Sequence, residues 1–156
     1  MRVQDFIADE TNRAMEGLLR QVRRVPADKA DWSPLGEGRS ALDQLQECAV
    51  IAGFYPHLLA TFEPPVFDEA SMAAFEEARK KLDTVEKAEA ALREGTAKTI
   101  AAIQAVPDEK LEDTMTFFGP EPWKISSVML AHSWNMTWHT GQTCFIQTLL
   151  GDKKMG

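Results

Sequence analysis

The sequence has few of the features that mark secreted or membrane proteins. It contains two cysteines, Cys48 and Cys144, which are too few for a disulfide framework and show no CxxC spacing. It has no run of about 18 consecutive apolar residues, and acids at Asp5 and Asp9 interrupt the region where a signal peptide would be apolar. We therefore expect a cytoplasmic protein with reduced thiols and no membrane partner.

Positive charge is also scarce. The chain has 17 Lys and Arg against 24 Asp and Glu, which gives a formal net charge of −7. The dense basic clusters, at residues 20–24 and 79–81, are short and lie on otherwise amphipathic segments, as is typical of a solvated helix face. A nucleic-acid footprint needs clustered basic residues that outweigh the neighbouring acids, so we expect no nucleic-acid partner.

Apolar residues are abundant and regularly spaced. They make up 44% of the 156 residues, enough for one core, and we expect a single domain over residues 1–156. Spacings of three and four predict long helices over 3–24, 40–61, 84–105 and 126–150 and a short helix over 71–81, between the second and third long helices. The predicted fold class is all-α, a four-helix bundle with that short extra helix.

Two connecting segments complete this prediction. The prolines at 64 and 65 are expected to end the second long helix. Residues 108–125 contain two prolines, a glycine and the run "TMTFF", which predicts a structured loop with a short extended piece.

The last helix combines polar and apolar stripes. His132, Asn135 and His139 share one stripe that continues into apolar residues, so we expect these three polar side chains to be partly buried and to need partners. A second stripe is almost wholly apolar, and we expect it to be buried too: Ala131, Trp134, Trp138, Phe145 and Leu149.

Glu47 is the natural partner for these polar groups. It lies on an apolar stripe of the second helix, where an unpaired carboxylate would be costly. Bundle metal sites are built from carboxylates and imidazoles that project inward from facing helices. However, His132 and His139 are seven residues apart, about 10.5 Å along a helix axis, which is awkward for one ion. A metal site and a hydrogen-bonded network without metal both remain open.

The same segments resemble a known family. The stretch "NMTWHTGQTCFIQTLLGD", residues 135–152, resembles the end of the DinB/YfiT-like superfamily, whose fourth helix carries a pattern HxxxHxGQ followed by apolar residues and "LG". The stretch "RSALDQLQECA", residues 39–49, resembles the segment that holds the family's other histidine. The resemblance implies a four-helix bundle, in many members a homodimer, with a divalent metal held by three histidines.

The sequence matches only part of this motif and lacks two of the three histidines. His139, Gly141 and Gln142 match, whereas Asn135 and Glu47 stand where the family has its other two histidines. The resemblance thus implies a degenerate metal site of Glu47, Asn135 and His139, with His132 assisting. Zn or Ni would suit histidines, and this altered set would suit an ion such as Mn, Fe or Mg that prefers oxygen ligands. A metal-free or weakly binding site is favoured over a high-affinity zinc or nickel site.

Two function hypotheses follow, and whether the protein is an enzyme stays open. The resemblance implies a metal-dependent hydrolase or a thiol-dependent transferase, in which the ion activates a water or a thiol and a small molecule is the substrate. The alternative is a non-catalytic bundle that binds a small molecule or a protein partner in the same crevice.

Overall fold

The structure is a computed structural model in which residues 1–63 and 66–154 are described. These residues form six α-helices and one two-stranded antiparallel sheet: α1 (Val3–Val22), α2 (Ala41–Ala52), α3 (Tyr55–Thr61), α4 (Glu69–Lys80), α5 (Val85–Ala105), β1 (Thr114–Thr116), β2 (Pro122–Lys124) and α6 (Ile125–Leu149). The all-α fold class is therefore confirmed. No helix within the described residues is both long and apolar enough to cross a membrane.

Four of the predicted helices match to within two residues at each end. The helix predicted over 40–61 is instead two helices, because α2 ends at Ala52 and α3 begins at Tyr55. Pro56, in the first turn of α3, has no backbone N–H and cannot continue the preceding helix. The prolines at 64 and 65 that were expected to end this segment lie outside the described residues.

Side-chain caps mark where α2 and α5 begin. The Ser40 hydroxyl accepts the backbone N–H of Asp43 at 3.1 Å, which satisfies one of the free N–H groups at the start of α2. Thr84 caps α5 in the same way through the N–H of Lys87. The cap at Ser40 fixes the start of the helix that carries Glu47.

The bundle core lies between α1, α2, α5 and α6. Leu18, Leu45, Leu92 and Met136, one from each of these helices, are fully buried there. Helices α2 and α5 approach closely at Gly95, where an added Cβ would lie 2.7 Å from the Ala52 side chain. This close approach fixes the position of α2 in the bundle.

The segment before α6 folds back on itself as a hairpin. Strands β1 and β2 pair antiparallel with Met115 opposite Trp123, which confirms the predicted extended piece. The Trp123 indole N–H donates to the Phe118 carbonyl at 3.0 Å and holds the turn in place. The hairpin lies next to the start of α6 and forms one wall of the cavity described below.

The second stripe of α6 does not lie in the core, so its predicted burial was wrong. Of its five residues only Ala131 is buried, whereas Trp134 and Trp138 are 62% and 57% exposed. The helix buries instead the stripe that carries Met136, His139 and Ile146, packed against α1 and α2. Helical periodicity identifies the apolar stripes, but it does not say which of two stripes meets the neighbouring helices.

Candidate functional site

The structure brings Glu47 of α2 and His139 of α6 into direct contact. His139 Nε2 lies 3.0 Å from Glu47 Oε1, and the imidazole is almost completely buried. On the other side of the ring, His139 Nδ1 lies 2.7 Å from Gln142 Oε1 and 3.2 Å from Gln44 Oε1. Both ring nitrogens thus face acceptor oxygens, and both can donate only in the doubly protonated imidazolium.

Arg39 binds the second oxygen of the same carboxylate. Its Nη1 lies 2.5 Å from Glu47 Oε2, and its Nε donates to Asp43, which in turn pairs with Arg79 of α4. Burial alone would raise the pKa of Glu47, but the hydrogen bond with His139 and the charge of Arg39 outweigh it and lower this pKa to about 2. Glu47 is therefore ionised at neutral pH and neutralised by groups of the chain itself.

Asn135 lies beside this pair and links it to Cys48. Its Nδ2 donates to Glu47 Oε1 at 3.4 Å, and its Oδ1 accepts from the Cys48 thiol at 3.3 Å. Burial raises the pKa of the Cys48 thiol far above its usual range. The thiol therefore stays protonated and acts as a donor to Asn135, not as a nucleophile.

His132 is not part of this cluster. Its Nε2 lies 3.1 Å from the Thr96 hydroxyl of α5, and its ring centroid lies 5.3 Å from that of Tyr55. It is fully buried, its Nδ1 has no hydrogen-bond partner among the described residues, and burial lowers its pKa to about 4. The expectation that His132 assists Glu47 and His139 is not met, since two turns of α6 separate the two imidazoles.

A cavity of about 530 Å³ opens beside the cluster, between α2, α4, the hairpin and α6. Glu47 and Asn135 form part of its wall, and Tyr55, itself 3% exposed, forms another part. Among the described residues no Lys or Arg lines the cavity. Most of its surface comes from aromatic and aliphatic side chains, including Phe54, Phe75, Phe117, Phe118, Trp123 and Trp134.

The helix pattern of the sequence does not predict this cavity, because two of the cavity walls come from segments without site motifs. The sequence of helix α4 is typical of a solvent-exposed helix, and residues 108–125 are predicted to form a loop. The signal was the clustering of aromatic residues within those polar segments, Phe67 and Phe75 around α4 and Phe117 and Phe118 after β1. Phe67 and Phe118 stack in the fold, with ring centroids 5.6 Å apart.

The donor groups near Glu47 do not fit the three-histidine metal centre that the resemblance implies. Within the described residues, no three His, Cys, Asp or Glu side chains come close enough together to hold an ion. Asn135 is the third neighbour, and an amide oxygen is a poor ligand for a transition metal. Both Glu47 oxygens are already bound, one by His139 and the other by the Arg39 guanidinium.

Comparisons with known proteins bear on the fold. No family model matches the sequence, and no curated protein matches it. A crystal structure of the mycothiol-dependent maleylpyruvate isomerase matches with a TM-score of 0.69 and 14% identity, covering 90% of this chain and 60% of the isomerase. This chain thus spans only about 60% of the length of that enzyme.

Two further solved structures match over nearly their whole length. An uncharacterised protein from Clostridium difficile 630 has a TM-score of 0.69 and 10% identity, covering 94% of this chain and 96% of its own. A protein from Streptococcus pneumoniae has a TM-score of 0.60 and 13% identity, covering 92% and 87%. The chain thus shares the fold of these solved structures, and this fold is a four-helix bundle, as the motif resemblance predicted.

Proposed function

We propose that this protein binds a small, largely apolar molecule in the cavity beside Glu47, without a resident metal ion. The observation that carries the proposal is the cavity itself, whose volume of about 530 Å³ lies in the usual range for small-molecule sites. Such sites combine apolar walls with a few polar groups that orient the ligand. The cavity has that composition.

The polar groups on the wall suggest how a ligand would be oriented. The Glu47 carboxylate accepts hydrogen bonds, and Asn135 and Tyr55 add an amide and a hydroxyl. The aromatic walls would stack against a ring or an aliphatic chain. The fitting ligand is therefore a small molecule with an apolar body and one N–H or O–H donor for a remaining lone pair of the Glu47 carboxylate, which has about four such acceptor sites.

The metal-dependent hydrolase or thiol-dependent transferase is the second candidate. The shared fold with a mycothiol-dependent isomerase favours it. Fold alone is a weak guide to chemistry, however, and the donors around Glu47 do not suit a tightly held ion. Glu47, Asn135 and His139 are instead proposed as the polar wall of a binding site.

The expected homodimer also remains a proposal. The motif resemblance supports a homodimer, because many members of that family are dimers. The large apolar side chains that α6 leaves exposed support it as well.

The small-molecule proposal can be tested with two neighbouring alanines of α4. Both are exposed, but Ala74 lines the cavity and Ala73 does not. N-phenylnaphthylamine, a neutral dye with an apolar body and one N–H group, should bind saturably with increased fluorescence. We expect Ala74→Trp to weaken this binding at least tenfold and Ala73→Trp to leave it unchanged. Equal affinity for all three proteins would overturn the proposal.

A further inference from the structure

Aromatic side chains are concentrated around the cavity beside Glu47. The chain has 8 Phe, 4 Trp and one Tyr. More than half of them, eight residues, line this one cavity, and Tyr55 and Phe67 are among them. Aliphatic side chains would pack equally well against an uncharged apolar body. The high proportion of rings therefore indicates a ligand that interacts with the faces of aromatic rings.

Three pairs of rings on the cavity wall meet edge to face. The planes of Phe54 and Tyr55 lie at 72°, with centroids 5.9 Å apart, and those of Phe117 and Trp123 lie at 77°, with centroids 5.7 Å apart. Phe117 and Phe118 meet at 66°. Rings in this arrangement turn their faces in different directions. Because each face carries negative partial charge, several such faces together can surround an organic cation.

The charge of the wall argues against an anionic ligand. Among residues 1–63 and 66–154, Glu47 is the only charged side chain that lines the cavity. Its lowered pKa keeps it ionised at neutral pH. A carboxylate or phosphate on the ligand would meet this carboxylate with no Lys or Arg on the wall to offset the repulsion. The ligand is therefore uncharged or positively charged.

One acceptor position of Glu47 remains open to a ligand. His139 Nε2 and Asn135 Nδ2 both lie within hydrogen-bond distance of Oε1, whereas Oε2 has Arg39 as its one partner among the described residues. A carboxylate has about four lone-pair sites on its two oxygens. Neither Arg39 nor His139 lines the cavity, so both hold the carboxylate without filling the space beside it. A donor on the ligand can therefore bind the second site of Oε2.

The partners of Glu47 determine which groups have to favour a cation. Arg39 and His139 offset much of the carboxylate charge, so Glu47 alone would not compensate an ammonium group for leaving water. The ring faces supply the additional attraction, which a cation gains and an uncharged molecule of the same shape does not. The net charge of −7 on the whole chain also favours the approach of a cation.

We propose that the ligand of this cavity is a protonated amine with a small apolar body, whose N–H group donates to Glu47 and whose N-methyl or methylene groups lie against the ring faces. This inference rests on the small-molecule site proposed above and adds the charge and functional group of its ligand. An alcohol could also donate to Glu47, but it would gain only apolar burial from the rings. An ammonium group gains a charge-assisted hydrogen bond and the attraction of the ring faces together.

Two ligands of the same shape separate charge from apolar burial. N,N-dimethylbenzylamine is protonated at pH 7, and isobutylbenzene has an uncharged C–H group in place of its N–H group. Displacement of N-phenylnaphthylamine, followed by the dye fluorescence, measures the affinity of both for the wild-type protein. We expect the ammonium ligand to displace the dye at about tenfold lower concentration than isobutylbenzene.

Matched ring variants test the role of the aromatic faces. Trp134 and Trp138 are both more than half exposed on α6, but only Trp134 lines the cavity. We expect Trp134→Leu and Phe54→Leu each to reduce the preference for the ammonium ligand by about threefold, because leucine keeps an apolar wall but removes the ring face. Trp138→Leu should leave the preference unchanged. Circular dichroism checks that each variant keeps its helices.

The outcomes distinguish this inference from the proposed site. Equal affinity of the wild type for the two ligands, or a preference for isobutylbenzene, would overturn the cation and leave the small-molecule site in place. A preference for the ammonium ligand that both Trp134→Leu and Phe54→Leu leave unchanged would overturn the role of the rings, and with it the inference. Absence of saturable binding by the dye and by both ligands would instead overturn the site itself.

Discussion

His139 Nε2 lies 3.0 Å from Glu47 Oε1, and this contact joins α6 to α2 at the wall of the cavity. Gln142 Oε1 lies 2.7 Å from the other ring nitrogen, and Arg39 pairs with the other carboxylate oxygen. A carboxylate on an apolar helix stripe is thus balanced by side chains of the same chain. The contact accounts for the burial of both groups without an ion.

Replacing Glu47 should test how much this balance contributes to stability. Glu47→Gln keeps the shape of the side chain but leaves Arg39 and His139 without their anionic partner. We expect the free energy of unfolding at pH 7, measured by urea denaturation, to fall by about 1–3 kcal/mol. Glu37→Gln, at an exposed site, is the matched control. An equal effect of the two substitutions would count against a stabilising role for the pair.

Acid should remove the same stabilisation. The pKa of Glu47 is lowered from 4.5 to about 2 in the folded protein, so its contribution is fully present above pH 4.5 and is lost as the pH falls toward 2. We expect the difference in unfolding free energy between wild type and Glu47→Gln to shrink across this range. Denaturant titrations at a series of pH values would measure it. A difference that stays constant from pH 5 to pH 2 would show that ionisation of Glu47 is not coupled to folding.

The buried imidazole of His132 should make the stability of the fold depend on pH in a higher range than Glu47 does. Its pKa is lowered from 6.5 to about 4, so the unfolded chain binds a proton that the folded protein does not between these values. Stability should therefore fall as the pH drops from 6.5 to 4, by about 3 kcal/mol in total. We expect His132→Gln to abolish this part of the pH dependence. The exposed His57→Gln controls for the loss of a histidine, and the same profile in all three proteins would refute the effect.

Metal binding separates the two interpretations of the cluster. We expect calorimetry to detect equally little Zn or Ni binding by the wild type and by His139→Ala. The variant should instead lose about 1–3 kcal/mol of stability, because Glu47 and Gln142 lose their buried partner. Stoichiometric binding by the wild type that His139→Ala abolishes would establish the metal site and remove the network interpretation.

Helix periodicity was enough to predict most of the bundle from the sequence. The long runs that became α1, α5 and α6 have clear apolar spacing, and a proline follows the end of α1 and of α5. The break before Tyr55 was missed because the apolar stripe continues across it, while Pro56 interrupts the backbone hydrogen bonds.

The site was predictable only in part. Glu47 and His139 could be paired because each is a polar residue on an apolar stripe. Arg39 could not be placed by the same reasoning, since it precedes the start of α2 and reaches Glu47 through a long, flexible side chain. The cavity depends on how α4 and the hairpin pack against the bundle, which is tertiary information that no local spacing contains.

Titration of the protein with N-phenylnaphthylamine, before and after treatment with a chelator, addresses metal-free binding beside Glu47 most directly. We expect saturable binding of one dye per chain, with the same dissociation constant before and after removal of metal. Ala74→Trp should lose that binding under both conditions. Absence of saturable binding, or binding that the chelator removes and added Zn or Ni restores, would contradict a metal-free small-molecule site.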